Sequence, residues 1–194
     1  QIVADQGGAE AQYILGDMYL RGEGVEQDFD AAERWLRKAA NQWHTEAQYK
    51  LGFMYHHGIG VRQDRFEILK WYTLAAENGH LYAQCNLGMM YRYADSVQQD
   101  YFRSLKWFRK AADQGHAKSQ NELGIMYYHG YGVEKDHSKA AKWFKKAMVQ
   151  GCVDAQYYLA LLYKSGEGVK RDINEYYKLL EDAAEKGHAK AQYS

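Results

Sequence analysis

The sequence lacks several features that would point to particular classes of protein. It contains no proline and two cysteines, and its 25 basic residues are balanced by 25 acidic residues. Without a net charge, the chain has no long-range field that would attract nucleic acid or an anionic membrane surface. Its longest apolar run extends only from Tyr157 to Tyr163, whereas a bilayer span needs roughly 20 residues. We therefore expect no nucleic-acid partner and no membrane insertion.

The sequence also lacks the motifs of metal and catalytic sites. Cys85 and Cys152 are far apart and neither has a second cysteine nearby, so neither a disulfide framework nor a thiolate zinc site is expected. His56 and His57 are adjacent, which on a helix points their side chains about 100° apart. No serine lies in a Gly-x-Ser-x-Gly elbow. We expect no metal, no cofactor and no catalytic residue, although a pair of carboxylates acting as in a glycosidase stays open.

What the sequence does contain is one motif, repeated along the chain. A leucine-glycine pair recurs every 36 residues, first at Leu15 and Gly16 and next at Leu51 and Gly52. A fixed period of this length indicates a repeat fold, in which each unit buries its apolar face against its neighbours. We expect a single array over 1–194, cut from a longer protein: the tail of one repeat at 1–8, full repeats at 9–44, 45–80, 81–116, 117–152 and 153–188, and the start of another at 189–194.

Each repeat reads as two helices, which we call helix A and helix B. In the first repeat, apolar residues at helical spacing predict helix A over residues 9 to 21, and Gly16 inside it suggests close approach of another helix. Glycines after helix A predict its end, and Asp28 is placed to cap helix B. We expect four tryptophans to anchor the core and four histidines to form a hydrogen-bonded ladder between repeats: Trp35, Trp71, Trp107, Trp143, His44, His80, His116 and His188.

Two positions depart from the repeat. Trp43 stands where other repeats have glycine, and Ala94 to Ser96 replace the Gly-x-Gly turn. Drift in a tolerant loop and a reshaped contact loop are both open interpretations.

The motif A-x-A-Q-x-x-L-G-x-M-Y-x-x-G-x-G-V-x-x-D, followed by W-x-x-K-A-A-x-x-G-H, resembles the Sel-1-like repeat (SLR) family, which is related to the tetratricopeptide repeat. The resemblance covers almost the whole chain. It implies an all-α, right-handed α-solenoid (superhelix) of antiparallel helix-turn-helix repeats, whose A helices line a concave face. Members of the family are adaptors and scaffolds in protein complexes, and some are immunity proteins that neutralise secreted toxins.

If the repeated positions build the scaffold, the variable positions on the exposed face of helix A are free to specify a partner. The residues predicted to bind a protein or peptide there are Tyr13, Asp17, Tyr49, Phe53, His56, His57, Tyr82, Cys85, Met89, Arg92, Tyr93, Asn121, Ile125, Tyr128, His129, Tyr157, Leu161 and Lys164. Tyr193 flanks the same row. The competing interpretation is that the apolar row along this face is core.

These observations favour a non-enzymatic protein-interaction scaffold or adaptor. A narrower alternative is an immunity protein that binds and occludes a secreted bacterial toxin, such as a lipase effector. A third is a small-molecule binder or a hydrolase. The sequence leaves the compartment open between the cytoplasm and the periplasm or ER lumen.

Overall fold

The computed structural model describes Ala4 and residues 7–192, and every regular element in that part of the chain is an α-helix. Helices A and B alternate. The helices are α1 (Ala9–Arg21), α2 (Phe29–Asn41), α3 (Thr45–His57), α4 (Arg65–Glu77), α5 (Leu81–Tyr93), α6 (Tyr101–Asp113), α7 (Ala117–His129), α8 (His137–Val149), α9 (Val153–Ser165), α10 (Ile173–Glu185) and the short α11 (Ala189–Gln192). Tyr193 lies outside the described residues.

The helix ends follow the sequence signals. Gly22 ends α1 in the left-handed conformation, at φ 71°, and donates its backbone N–H to the carbonyl of Met18. The Asp28 carboxylate accepts the N–H of Ala31, 2.9 Å away, at the start of α2. The other B helices, α4, α6, α8 and α10, begin with an aspartate cap of the same kind. The predicted glycine stops and aspartate caps are confirmed.

The chain divides into two compact units, unit 1 (Gln1–Leu87) and unit 2 (Gly88–Ser194). In unit 1, helices α1 and α2 pack as one pair and α3 and α4 as the next. The core between them contains Leu36, Leu51, Met54 and Trp71, together with alanines of helix B. These alanines are short enough to let neighbouring helices approach closely.

The interior glycine of helix A explains that close approach. A Cβ added to Gly52 would lie 2.5 Å from Cδ1 of Tyr72, a residue of α4 that is fully buried. In unit 2, a Cβ on Gly124 would lie 2.6 Å from Cδ1 of Phe144 of α8. The packing role predicted for this glycine is confirmed in both units.

The tryptophan prediction is only partly right. Trp71 and Trp107 are buried, with exposed fractions of 1% and 6%, but Trp35 and Trp143 are only half-buried. The next residue in each helix B points at helix A instead, since successive residues of a helix turn by about 100°. Trp35 lies at the edge of the core, with Nζ of Lys38 3.9 Å from its ring centroid.

Three of the four junction histidines, His44, His80 and His188, make the expected hydrogen bonds between repeats, whereas the hydrogen bonds seen for His116 are to Ser119 at the start of the next helix. In unit 1, the Nδ1 atom of His80 accepts the N–H of Ala83, and its Nε2 atom lies 3.0 Å from Oε2 of Glu46. The His80 ring stacks on Tyr49 at 4.2 Å between centroids. His44 in unit 1 and His188 in unit 2 each make the same three contacts with their own neighbours.

The two departures keep the backbone of the glycines that they replace. Trp43, Ala94 and Ser96 have φ values of 65°, 58° and 59°. Residues with a Cβ rarely adopt this left-handed conformation. These turns are therefore strained.

Candidate functional site

The residues predicted to bind a partner differ in how far they reach solvent. Those exposed are Phe53, His57, Tyr82, Tyr93, His129 and Lys164. Those partly buried are Tyr13, Asp17, Tyr49, His56, Met89, Tyr128, Tyr157 and Leu161. Those buried are Cys85, Arg92, Asn121 and Ile125. The expectation of a solvated position is wrong for these last four, and Ile125 belongs to the core cluster of unit 2.

Unit 1 presents an aromatic patch, which we define as Tyr49, Phe53, His57 and Tyr82. Phe53 is 36% exposed and Tyr82 is 55% exposed. The rings of Phe53 and His57 are 4.2 Å apart, and Tyr49 lies 6.3 Å from Phe53 and 6.2 Å from Tyr82. Four of the predicted residues are thus neighbours on the two A helices α3 and α5.

A charged cluster adjoins α1 in the same unit. Oδ1 of Asp17 lies 2.6 Å from Nζ of Lys50, and Oδ2 of Asp17 lies 3.1 Å from Nε of Arg21. Burial, reinforced by the negative charges of Asp17 and Glu46, raises the pKa of Tyr13 to about 12. A tyrosine hydroxyl is neutral at physiological pH in any case, so this shift does not change the charge of the cluster.

Unit 2 contains a groove of about 440 Å³, which we call the α7–α9 groove. Its walls come from the end of α5, the middle of α7 and α9, and the turn before α11. The lining residues are Tyr93, Asn121, Glu122, Ile125, Asp154, Tyr157, Tyr158, Gly187, His188, Ala189 and Lys190. The groove brings together four of the predicted residues: Tyr93, Asn121, Ile125 and Tyr157.

Buried polar groups lie in the wall of this groove. Nη1 of Arg92 donates to Oε2 of Glu122, and the two side chains are each 9% exposed. The Tyr93 hydroxyl donates to the same oxygen, at 3.4 Å. Asn121 is 4% exposed, and its side-chain carbonyl oxygen has no hydrogen-bond partner among the described residues. Burial of an acceptor that has no hydrogen-bond partner costs free energy.

Sequence reasoning missed Glu122 and Tyr158. They occupy the repeat position held by Ile14 and Lys50 in unit 1. In the first repeat this position is residue 14, which comes four residues after residue 10 and three residues before Asp17. It therefore lies on the predicted face of helix A. Its charge and size vary from repeat to repeat, and that variation was the available signal.

Other features of the described residues offer less. A cavity of about 620 Å³ in unit 1 surrounds Arg37, whose guanidinium already bonds to Glu33, Tyr55 and Glu67. No three His, Cys, Asp or Glu side chains in the described ranges are grouped so as to hold a metal ion. None of the helices described has the length and apolar character needed to cross a membrane.

Comparison with known proteins identifies the repeat. The Sel1 repeat model matches residues 9–42, 45–80, 81–116, 117–148 and 153–188. The protective antigen c5321 of uropathogenic Escherichia coli, which displays an SLR fold, is 42% identical with a TM-score of 0.90, over 97% of this chain and 40% of that chain. A Sel1 repeat protein from Oxalobacter formigenes is 32% identical with a TM-score of 0.83, over 96% of this chain and 74% of that one.

These matches confirm the predicted all-α solenoid of repeated helix pairs. The chain spans only 40% of c5321, so they do not extend to the activity of a whole protein. The immunity protein Pa5087 of Pseudomonas aeruginosa is 23% identical over 92% of this chain and 70% of its own, with a TM-score of 0.48, and this likeness carries no functional argument. No curated protein matches the chain.

Proposed function

Because this chain belongs to the Sel1 repeat family, we propose that it is a non-enzymatic scaffold or adaptor, which binds a partner protein or peptide on its A helices. The observation that carries the proposal is the α7–α9 groove, where the side-chain carbonyl oxygen of Asn121 is buried without a partner among the described residues and Tyr93 is 55% exposed. Tyrosines around desolvated polar groups are typical of the energetic centre of a protein interface.

The aromatic patch of unit 1 supports the same function independently. Phe53 and Tyr82 expose large rings on A helices, at positions where a helix in water would carry polar residues. Their neighbours Tyr49 and His57 hold them in place by ring contacts, so little side-chain entropy would be lost when a partner binds. We propose this patch as a second contact region.

The proposal includes the narrower possibility that the partner is a secreted bacterial toxin, whose active site the chain would occlude. A small-molecule binder or hydrolase is the competing class. Turnover of a substrate by the purified chain would establish a hydrolase and contradict the proposal of a non-enzymatic scaffold.

The test is a binding measurement with matched variants. A partner captured from the source organism is purified and titrated by calorimetry against the wild type, Tyr93→Ala and Phe102→Ala. Phe102 is also in unit 2 and is 76% exposed, but it does not line the α7–α9 groove. We expect Tyr93→Ala to weaken binding by roughly 1–4 kcal/mol and Phe102→Ala to leave it unchanged.

Phe53→Ala tests the patch of unit 1 in the same titration, with Phe66→Ala as its control, since Phe66 is 72% exposed and lies outside the patch. Circular dichroism checks that each variant keeps its helices. A partner that binds all four folded variants with the wild-type affinity would remove the A-helix face from consideration.

A further inference from the structure

We infer that the α7–α9 groove recognises a basic side chain, lysine or arginine, in the partner. The inference rests on the proposed function, because it names the chemistry of the segment that the groove would bind. It follows from the buried side-chain carbonyl of Asn121, which has no hydrogen-bond partner among the described residues, and from the carboxylates and aromatic rings that line the groove beside it.

One buried acceptor in the wall is without a partner. The side-chain carbonyl of Asn121 receives no hydrogen bond from the described residues, and beside it Arg92 and Tyr93 both donate to Oε2 of Glu122. Asn121 and Glu122 are adjacent on α7 and are both more than nine-tenths buried. A ligand that enters here must therefore bring N–H or O–H donors.

The groove also offers carboxylates that a cationic donor would contact. Asp154 lies on the facing helix α9 with 67% of its side chain exposed, and its Oδ1 atom contacts His188 at 3.2 Å. Glu122 and Asp154 are the carboxylates that line the groove. Arg92 is committed to Glu122, and Lys190 is exposed at the rim. Lysine and arginine carry several donors and a positive charge, which suits this set of acceptors.

The tyrosines supply the second requirement of such a site. Tyr93, Tyr157 and Tyr158 line the groove, and the rings of Tyr157 and Tyr158 are 5.8 Å apart and nearly perpendicular, at 72°. Tyrosine is neutral at physiological pH, and burial raises the pKa of Tyr158 further. Neutral aromatic faces attract ammonium and guanidinium groups, most strongly where water is excluded.

The position of Asn121 strengthens the inference. The equivalent residues of the other repeats are Tyr13, Tyr49, Cys85 and Tyr157. Folding therefore does not require an amide at this position. An amide that lowers the stability of the free chain is accounted for if a ligand supplies its missing partner.

The experiment uses random 12-residue peptides displayed on phage and selected against the immobilised full chain. The best peptide is synthesised with a fluorescent label, together with a version in which its basic residue is replaced by glutamine. We expect the selected sequences to share a lysine or arginine at one position. Fluorescence anisotropy should show that the glutamine version binds about 10- to 100-fold more weakly, as for lost hydrogen bonds to a charged group.

Variants then locate the recognition. Asn121→Leu keeps the size of the side chain and removes the acceptor, so the preference for the basic peptide should fall by about tenfold while the helical content is unchanged. Asp154→Asn should reduce the preference for the basic peptide by only a few-fold, because the Asp154 side chain is exposed to solvent. Asn174→Leu is the control, because Asn174 is exposed on α10 and does not line the groove.

The outcomes separate the two proposals. Selected peptides that lose affinity in Tyr93→Ala but show no preference for a basic residue would overturn this inference and leave the proposed function standing. Failure to select any peptide, or peptides that bind Tyr93→Ala as well as the wild type, would overturn both.

Discussion

Each unit has an ion pair that joins two successive A helices, but the acidic and the basic residue come in opposite order in the two pairs. In unit 1 the acid comes first, and Asp17 of α1 pairs with Lys50 of α3. In unit 2 the base comes first, and Arg92 of α5 pairs with Glu122 of α7. The side chains of the first pair are 19% and 14% exposed, whereas both side chains of the second are 9% exposed.

This difference shows how a repeat protein varies its surface without changing its frame. Lys50 and Glu122 occupy the same repeat position, on helices with the same bounds relative to the repeat. The glycine-to-aromatic contact beneath them is also the same in both units, at Gly52 and at Gly124. The frame sets where the side chains lie, and the variable positions set the charge and polarity that they present.

The largest expected effect comes from breaking the ion pair of unit 2. Arg92→Met leaves the Glu122 carboxylate buried without a counter-charge, so we expect unfolding to become easier by about 3–5 kcal/mol. Lys50→Met in unit 1 should cost only about 1 kcal/mol, because Asp17 is more exposed and keeps Arg21 as a partner. Urea unfolding followed by circular dichroism measures both changes.

The double variant Arg92→Met with Glu122→Leu provides the control. Removing both charges replaces the pair with apolar groups, so most of the lost stability should return. Equal losses for Arg92→Met and Lys50→Met would show that the difference in burial has no energetic consequence.

The frame could be predicted from the sequence because it depends on signals local to one repeat. A glycine in the middle of helix A, an aspartate before helix B and a glycine after helix A each act within a few residues of their own position. Because the motif recurs every 36 residues, each of these signals appears in several repeats, and the prediction made for one repeat can be compared with the others. The bounds of helix A in the first repeat, the aspartate caps and the close approach at the interior glycine followed from these signals alone.

The site could be predicted less well because it depends on how separate helices face each other. The spacing of helix A placed Tyr93, Asn121 and Tyr157 on one predicted face, and in the structure all three line one groove. The spacing also indicated that Arg92 is solvated, and this was wrong. Arg92 is buried in an ion pair with Glu122, which lies on another helix. The half-buried position of Trp35 has the same origin, since the rotation of helix B about its axis is set by packing and not by composition.

A smaller effect tests whether the frame is the same in the two units. Gly52→Ala and Gly124→Ala would each bring a methyl group against a buried ring, Tyr72 or Phe144, at about the same separation. An alanine in a helix normally stabilises it by about 1 kcal/mol relative to glycine. Here we expect a loss of about 1–3 kcal/mol in each unit, since the ring has to shift.

Thermal unfolding of these two variants is compared with that of Ala160→Gly, the reverse change at the equivalent position of α9. Ala160→Gly should cost about 1 kcal/mol by helix propensity. Stabilisation by Gly52→Ala or Gly124→Ala would contradict the close packing that the two units share.

The smallest effect concerns the turn after α5, where Ala94 and Ser96 stand in place of glycines. The turn at Gly58 and Gly60 in unit 1 uses glycine for its left-handed residues, whereas Ala94 and Ser96 hold the same conformation in unit 2. We expect Ala94→Gly and Ser96→Gly each to raise stability by about 0.5–1 kcal/mol, because relief of the strain exceeds the entropy lost by a more flexible unfolded chain.

The control is Gly130→Ala, which introduces the same strain at another turn of unit 2 and should lower stability by about 1–2 kcal/mol. The two interpretations of the departing turn then separate. If the loop has only drifted, both glycine variants gain stability and bind the partner as the wild type does. If the loop contacts the partner, the gain in stability comes with weaker binding, since the Ala94 and Ser96 side chains and the rigidity of their backbone are lost together.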